Sequence, residues 1–307
     1  MLKGKGNDRW SIPLVEPLKT LLRIKDPNQF RWSSDPTSFR PRPSRPSPCG
    51  HPFLVILPAT LFVLLILPLS LQPCFALTGE EIQKSQILLK GRPIGEKIAF
   101  WAEKFIGVPY DPDPLGEYVS KAVIVSDERM DCMSLTFRAV ELALSDTPEG
   151  AVQVALEKRF HSKGIVKEGR VTNYDDRFEY GEDMIESGKW GKEITSDLGR
   201  TVKIRGARGK ESVEVLSTDA LMQGMRGLKS GDLIFFAKEP GKREVGEIIG
   251  HIGIVEVVDA AKNQRRREVF LIHASGTKGK GGAVKKVKLS AYLSRMPFIG
   301  VKITRFE

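Results

Sequence analysis

Cysteine and histidine are scarce in this chain, with 3 Cys and 4 His among 307 residues. None of the close Cys or His pairings of structural zinc occurs, which argues against a fold stapled by metal. Charge is absent between residues 51 and 79, an apolar run too long for a buried strand. Gly276, Gly279, Gly281 and Gly282 are not followed by a Gly-Lys-Ser/Thr ending between a strand and a helix, which excludes a phosphate-loop motif. No DNA- or RNA-reading pattern and no internal repeat occurs, so no nucleic-acid partner is expected.

What is present is an ordinary globular composition, 41% hydrophobic, enough for one sizeable core or two small ones. The net charge of +10 is unevenly placed: the first fifty residues hold ten Lys or Arg against four acids, and the remainder is only mildly basic. Residues 1–50 contain the Pro/Ser/Arg stretch 40–48 and read as a disordered basic leader. Residues 51–76 read as a signal-peptide core or a membrane-spanning segment, with 53–71 dominated by Leu, Ile, Val and Phe. Arg40, Arg42 and Arg45 precede this run and Glu80 and Glu81 follow it, so the basic side should stay behind while the rest crosses the membrane. Small residues around Cys74-Phe75-Ala76 place a cleavage point after Ala76; uncleaved, residues 53–71 would hold the chain in the bilayer.

Beyond the leader, Thr78 with Glu81 predicts a capping box opening a helix, with Ile82, Ile87 and Leu88 as a partial apolar stripe. A second helix is predicted over 94–105, with Ile98, Trp101, Ala102 and Phe105 on one face, stopped by Gly107, Pro109, Pro112 and Pro114. Residues 122–125 read as a short strand. A helix over 132–144, capped by Asp131, turns Leu135, Ala139, Leu142 and Ala143 to a core. Thr147-Pro148 opens another, reaching about residue 160. A helix is expected near 180–187 and strands at 201–205, 211–216, 233–237, 252–258, 269–273 and 299–304. Helices first and strands afterwards predict an α+β domain over 77–307. Arg265-Arg266-Arg267 and the Gly/Lys-rich run 278–288 read as solvated faces.

With the leader set aside, Cys132 is the one cysteine of this domain, in Met130-Asp131-Cys132-Met133-Ser134-Leu135-Thr136. Exported cysteines normally come in pairs, so an unpaired thiol asks for a chemical use, although a buried inert cysteine is the commoner case by residue type. At a helix start the backbone N–H groups favour an anion. The thiol pKa should therefore fall, and the N–H of Cys132 should help hold the oxyanion of a tetrahedral intermediate. His251 opens a strand-like run after the loop 238–250, where it could serve as the base that an amide leaving group requires. His273 ends the next strand and would stand beside His251 if the two strands pair, fixing its tautomer. The same three residues with Asp131 could instead ligate zinc. Lacking a close pairing, no metal and no cofactor is assigned, and Asp131 reads as a helix cap.

Five elements occur in order: Phe105-Ile106-Gly107-Val108-Pro109-Tyr110, Asp131-Cys132, Gly231-Asp232-Leu233-Ile234-Phe235-Phe236, His251-Ile252-Gly253-Ile254 and Ile272-His273-Ala274-Ser275. In these the chain resembles the NlpC-type papain-like peptidoglycan hydrolases, over about residues 90–305. In that superfamily the cysteine is the nucleophile, the first histidine the base and the second polar residue its orienter, roles that fall on Cys132, His251 and His273. A narrower likeness is to the N-acetylmuramoyl-L-alanine amidase-like branch formerly grouped as a domain of unknown function, which carries a large insertion between cysteine and first histidine. Here His251 follows Cys132 by 119 positions, with an insertion at about 150–225, and Tyr174-Asp175-Asp176-Arg177-Phe178-Glu179-Tyr180 looks like that branch's tyrosine/arginine signature. Met133 stands where a small or hydroxyl residue is usual, and Glu179 where histidine is frequent.

The resemblance implies a papain-like cysteine hydrolase core with N-terminal helices, a mixed helical and strand insertion, and a C-terminal antiparallel sheet. It implies hydrolysis of an amide bond in peptidoglycan or muropeptides, foremost the N-acetylmuramoyl-L-alanine bond, with stem-peptide endopeptidase action or non-enzymatic wall binding as alternatives. Tyr110, Tyr174, Arg177 and Tyr180 would then contact sugar hydroxyls or carboxylates, or else serve packing and surface ion pairing. Export would carry the domain across the bacterial inner membrane to the periplasm or cell envelope. No oligomeric state is assigned.

Overall fold

The computed structural model describes residues 76–259, 267–277 and 280–307; the expected basic leader, the apolar run 53–71, Arg265, Arg266 and Lys278 lie outside the described residues. Among the described residues no helix is long and apolar enough to cross a membrane. Helix α1 (Gly79–Leu88) begins where Thr78 and Glu81 exchange hydrogen bonds: the Thr78 N–H donates to the Glu81 carboxylate at 2.8 Å, and the Glu81 N–H donates to the Thr78 hydroxyl at 3.2 Å. Helix α2 (Ile94–Lys104) buries Ile98, Trp101 and Ala102, with Phe105 buried just past its end. The short α3 (Glu117–Ser120) follows. In α4 (Cys132–Ala143) the Asp131 carboxylate accepts the Ser134 N–H at 2.7 Å while the Ser134 hydroxyl accepts the Asp131 N–H at 2.8 Å. Helix α5 (Pro148–Lys158) is capped by the Thr147 hydroxyl, with proline in the first turn.

The apolar stripe of α4 predicts a one-sided helix, but every residue from Ser134 to Ala143 is buried. Arg138 and Glu141, which look like its solvent face, are neutralised inside: Arg138 pairs with Asp127 at 2.8 Å and Arg159 with Glu141 at 2.6 Å, all four buried. The helix that carries Cys132 is therefore enclosed on all sides from Ser134 onward, while Cys132 and Met133 at its start stay partly exposed.

A hairpin of β1 (Val166–Lys167) and β2 (Arg170–Val171) leads to α6 (Gly181–Glu186), β3 (Lys192–Glu193), β4 (Thr201–Arg205), β5 (Ser212–Ser217) and α7 (Thr218–Gly224). Then come β6 (Leu233–Lys238), β7 (Ile249–Asp259), β8 (Arg267–Thr277), β9 (Gly281–Lys288), α8 (Leu289–Leu293) and β10 (Phe298–Arg305). Eight strands form one sheet in the order β4-β5-β10-β6-β7-β8-β9, with β3 also on β10, and neighbours are antiparallel. Trp101 of α2 and Leu135 of α4 share one apolar cluster with Phe235, Ile252 and Ile272. Leu221 of α7 and Tyr292 of α8 share a second with Phe236, Leu271 and Ile303. The architecture is the α+β class that the sequence predicts.

Two segments differ from that prediction. Residues 122–125 form no strand, because Ala122 takes φ 55° and the Val123 N–H turns back to the Tyr118 carbonyl. The Gly/Lys-rich run, read as a solvated face, is in addition an unexpected strand: β9 pairs with β8 from Thr277 opposite Gly281 to Phe270 opposite Lys288, with Lys285 and Lys288 exposed. Lysines suit such a strand, since they discourage pairing with another chain. The Gly-Asp pair before β6 also acquires a reason. Gly231 adopts φ 85°, and a Cβ there would sit 2.3 Å from the Gly95 Cα, so α2 lies directly against this turn. Asp232 then accepts two hydrogen bonds from Arg305 at 2.7 Å, tying β6 to the last strand.

Candidate active site

Cys132 is the first residue of α4, directly after its cap. The preceding Met130 forms a parallel bridge with Tyr110, its N–H donating to Pro109 at 2.9 Å and its carbonyl accepting from Asp111 at 3.1 Å. The Tyr110 N–H donates to the Gly282 carbonyl at 2.9 Å, and its side chain packs against Gly276, where a Cβ would come within 2.4 Å of its Cγ. This lacing explains the small residues on the sheet edge: they let Tyr110 settle beside the thiol.

The sheet supplies the histidines. Pairing of Ile254 with Ile272 sets His251 and His273 diagonally on the same face of β7 and β8. Nε2 of His251 and Nδ1 of His273 are 2.9 Å apart. The β6–β7 register shifts between Phe236 and Ala237, next to Gly250, and the His251 ring stacks on Phe298 at 6.3 Å and lies 6.0 Å from both Phe236 and Tyr292. The backbone N–H groups of Ile252, Cys132 and Met133 lie near enough to the Cys132 sulfur to favour its anion. Since Ile252 follows His251, thiol and imidazoles meet at one corner. No hydrogen bond joins the Cys132 thiol to His251 in this resting geometry.

The expected fall in the thiol pKa is reversed. Burial pushes the Cys132 thiol up to about 12, the Asp131 carboxylate adds to the rise, and the three backbone N–H groups offset only part of it. Burial likewise brings His251 down to about 3, with the His273 charge assisting, and His273 down to about 4, assisted by Lys285. At neutral pH the site rests as neutral thiol and neutral imidazoles. Tyr110 and Tyr292 are both raised, first by burial and then by the charge of Cys132, which sets both phenols near the sulfur.

Tyr174, Arg177 and Tyr180 lie farther along the same side. The Tyr174 hydroxyl donates to the Val123 carbonyl, and its ring is 5.7 Å from Tyr118, whose phenol is raised by burial and by Asp131. Arg177 donates to the Tyr174 carbonyl at 2.8 Å and pairs with the exposed Glu179 at 2.7 Å. Tyr180 is stacked by Arg208 at 3.7 Å. Tyr174 connects to the thiol helix through Tyr118, whose ring lies 6.4 Å from Phe137, and through Arg159, which pairs with Glu141, while Tyr180 connects through Arg208 to Glu182 and Asp183 of α6. Among the described residues no group of three or more His, Cys, Asp or Glu could hold a metal ion. Sequence reasoning missed Tyr292 and the Ile252 N–H. A five-residue helix has no periodicity to reveal the first, and a backbone donor has no residue-type signal.

Fold and corner together define an α+β architecture with a Cys and a His pair at the junction of a central helix and an antiparallel sheet. No family model and no curated protein sequence matches the chain. The fold is similar to the crystal structure of an N-acetylmuramoyl-L-alanine amidase from Bacteroides uniformis, at 20% identity and TM-score 0.53, over 70% of this chain and 99% of that one. It is also similar to a Legionella pneumophila protein of the DUF1460 family, at 17% identity and TM-score 0.54, over 73% and 93% of the two chains. Identities this low establish a shared fold, and the chemistry must be argued from the corner itself.

Proposed function

We propose that this protein is a cysteine-dependent amidohydrolase with a papain-like core that acts on peptidoglycan or muropeptides, cleaving the bond between N-acetylmuramic acid and L-alanine. The observation that carries the reading is the His251–His273 pair at 2.9 Å beside the N–H-lined sulfur of Cys132. With Nε2 of His251 engaged by His273, Nδ1 is the nitrogen left to take the thiol proton. The thiolate attacks the carbonyl carbon, the Cys132 N–H at the start of α4 helps hold the oxyanion, and the C–N bond breaks as His251 returns the proton to the leaving nitrogen. Water, with His251 as base, then releases the acyl group. A thiol–imidazole contact that is open at rest closes around a bound substrate. The fold likeness to a muramoyl-alanine amidase supports the choice of bond.

Tyr110 would wall the acyl site, while Tyr174, Arg177 and Tyr180 would contact the muropeptide, Arg177 exchanging Glu179 for a substrate carboxylate. The basic leader and uncharged run support export to the periplasm or envelope, with 53–71 as anchor if uncleaved. Incubation of the full chain with purified muropeptides, read by mass spectrometry, should give free stem peptide and sugar. Cleavage within the peptide would instead select an endopeptidase. Cys132→Ala and His251→Ala should each fall below about a thousandth of wild-type turnover, and unchanged turnover by Cys132→Ala would remove the thiol mechanism. The open thiol–imidazole contact favours one second reading, a non-enzymatic wall-binding protein; peptidoglycan retention without product, equal in wild type and Cys132→Ala, would select it.

A further inference from the structure

Two register breaks meet at the end of β6. On its β7 side the ladder steps from Phe236 opposite His251 to Ala237 opposite Ile249, skipping Gly250, and on its β10 side from Ala237 opposite Gly300 to Lys238 opposite Phe298, skipping Ile299. Bulges of this kind re-aim side chains, and here they bring Phe298 over the residue that leads into His251. A Cβ on Gly250 would sit 2.4 Å from Cγ of Lys238 and 3.4 Å from Cε1 of Phe298, so the bare glycine leaves room for both. The Phe298 ring is inclined by only 12° to the imidazole, with centroids 6.3 Å apart, inside the range of offset stacking. Phe236 and Tyr292 flank the same imidazole at 6.0 Å, and Phe236 lies 5.2 Å from Phe298. Those two rings are buried in the second apolar cluster, whereas Phe298 is half-buried at its margin. The parallel ring supplies what the His273 contact lacks. Nε2 of His251 lies close to the Cβ–Cγ axis, so its 2.9 Å contact with Nδ1 of His273 still lets the imidazole turn about χ2, a torsion that is soft in histidine. That turn hardly moves Nε2 but swings Nδ1 through an arc.

We propose that Phe298 is a positioning residue: its parallel ring sets χ2 of His251 and covers one face of the imidazole, holding Nδ1 in the direction from which it takes the thiol proton. The assignment rests on the reading of His251 as base, and it adds a residue that touches neither substrate nor sulfur. The titratable and charged groups around the imidazole are His273 on β8 with Lys285 opposite it on β9, Lys238 on β6 with its partner Glu247, Tyr292 on α8 and Cys132 on α4. Phe298 carries no charge, so its replacement by another uncharged side chain changes the freedom and cover of the imidazole while leaving those groups in place.

The test compares Phe298→Leu, which keeps apolar bulk without a flat face, with Phe298→Tyr, which keeps the face, both in the full chain. On muropeptides Phe298→Leu should lower kcat about tenfold or more with KM within about twofold of wild type, and Phe298→Tyr should restore kcat. Phe100→Leu, at a half-buried ring on α2 that packs on Trp101, should leave kcat unchanged and controls for the loss of an aromatic. The second readout is the imidazole Cε1–H signal of His251 followed by NMR across pH. In wild type, with His251 held at about 3, it should not titrate down to about pH 5; in Phe298→Leu it should titrate inside that window, displaced towards the ordinary 6.5. Equal kcat in wild type and Phe298→Leu, or a fall that Phe298→Tyr does not restore, would overturn the proposal. Failure of the hydrolase reading is seen separately, as wild-type chain that turns over no muropeptide. The His251 signal then decides alone: titration that is identical in wild type and Phe298→Leu overturns the role of Phe298, and a displacement that only Phe298→Tyr reverses upholds it.

Discussion

His251 and His273 are held below the ordinary histidine value of 6.5, at about 3 and about 4, because burial disfavours their charged forms. Between those values the unfolded chain binds protons that the folded chain refuses, so stability drains away as pH falls from about 6.5 towards 4 and below. Cys132 works in the opposite sense: its folded value of about 12 exceeds the ordinary 9.0, so the folded chain keeps a proton that the unfolded one loses, and stability declines as pH rises above 9.0. Urea midpoints measured across pH should therefore form a plateau from about 6.5 to 9, and His251→Gln with His273→Gln should flatten the acid limb. An acid limb of equal steepness in that double variant would assign it to other groups. At this scale the sequence exposes Cys132, His251 and His273 because their types are scarce and their flanks strand- or helix-like. It conceals the depth of burial, which is why the direction of the thiol shift came out reversed.

Elements are legible where local chemistry alone decides them. The Thr78/Glu81 box, the Asp131 cap, the proline after Thr147 and the aliphatic and aromatic runs of β6, β7, β8 and β10 all act within a few residues, and those elements stand where expected. Strand β9 and helix α8 depend on neighbours: Gly281–Lys288 becomes a strand because β8 offers it a complete ladder, and α8 is too short to announce itself. Residues 122–125 have strand-like composition, but the chain leaving α3 must reverse at Ala122. The Gly95–Gly231 contact is a third nonlocal demand, since a side chain at either position meets backbone of the other element. Gly231→Ala adds both a left-handed φ and that collision, so it should cost about 2 kcal/mol or more, read as a lowered urea midpoint. Gly241→Ala, where a Cβ meets nothing within 4 Å, should leave stability within about 0.5 kcal/mol of wild type.

At the scale of the molecule, the segment between the thiol helix and the central strands is wired into the sheet. Glu182 on α6 is buried and accepts the N–H groups of Ile248 and Ile249 at 3.0 and 3.1 Å, just ahead of His251. Removing that carboxylate leaves two buried donors unpaired at the start of β7. Glu182→Ala should cost about 2 kcal/mol or more and lower kcat on muropeptides more than it changes KM. Glu186→Ala, at an exposed pair on the same helix, should leave stability within about 0.5 kcal/mol. Equal behaviour of the two variants would show that the clamp does not govern His251. If it does govern it, residues 150–225 are not an interchangeable cassette. A graft that brought no acceptor at position 182 would leave the Ile248 and Ile249 N–H groups without their partner and loosen the strand that seats His251.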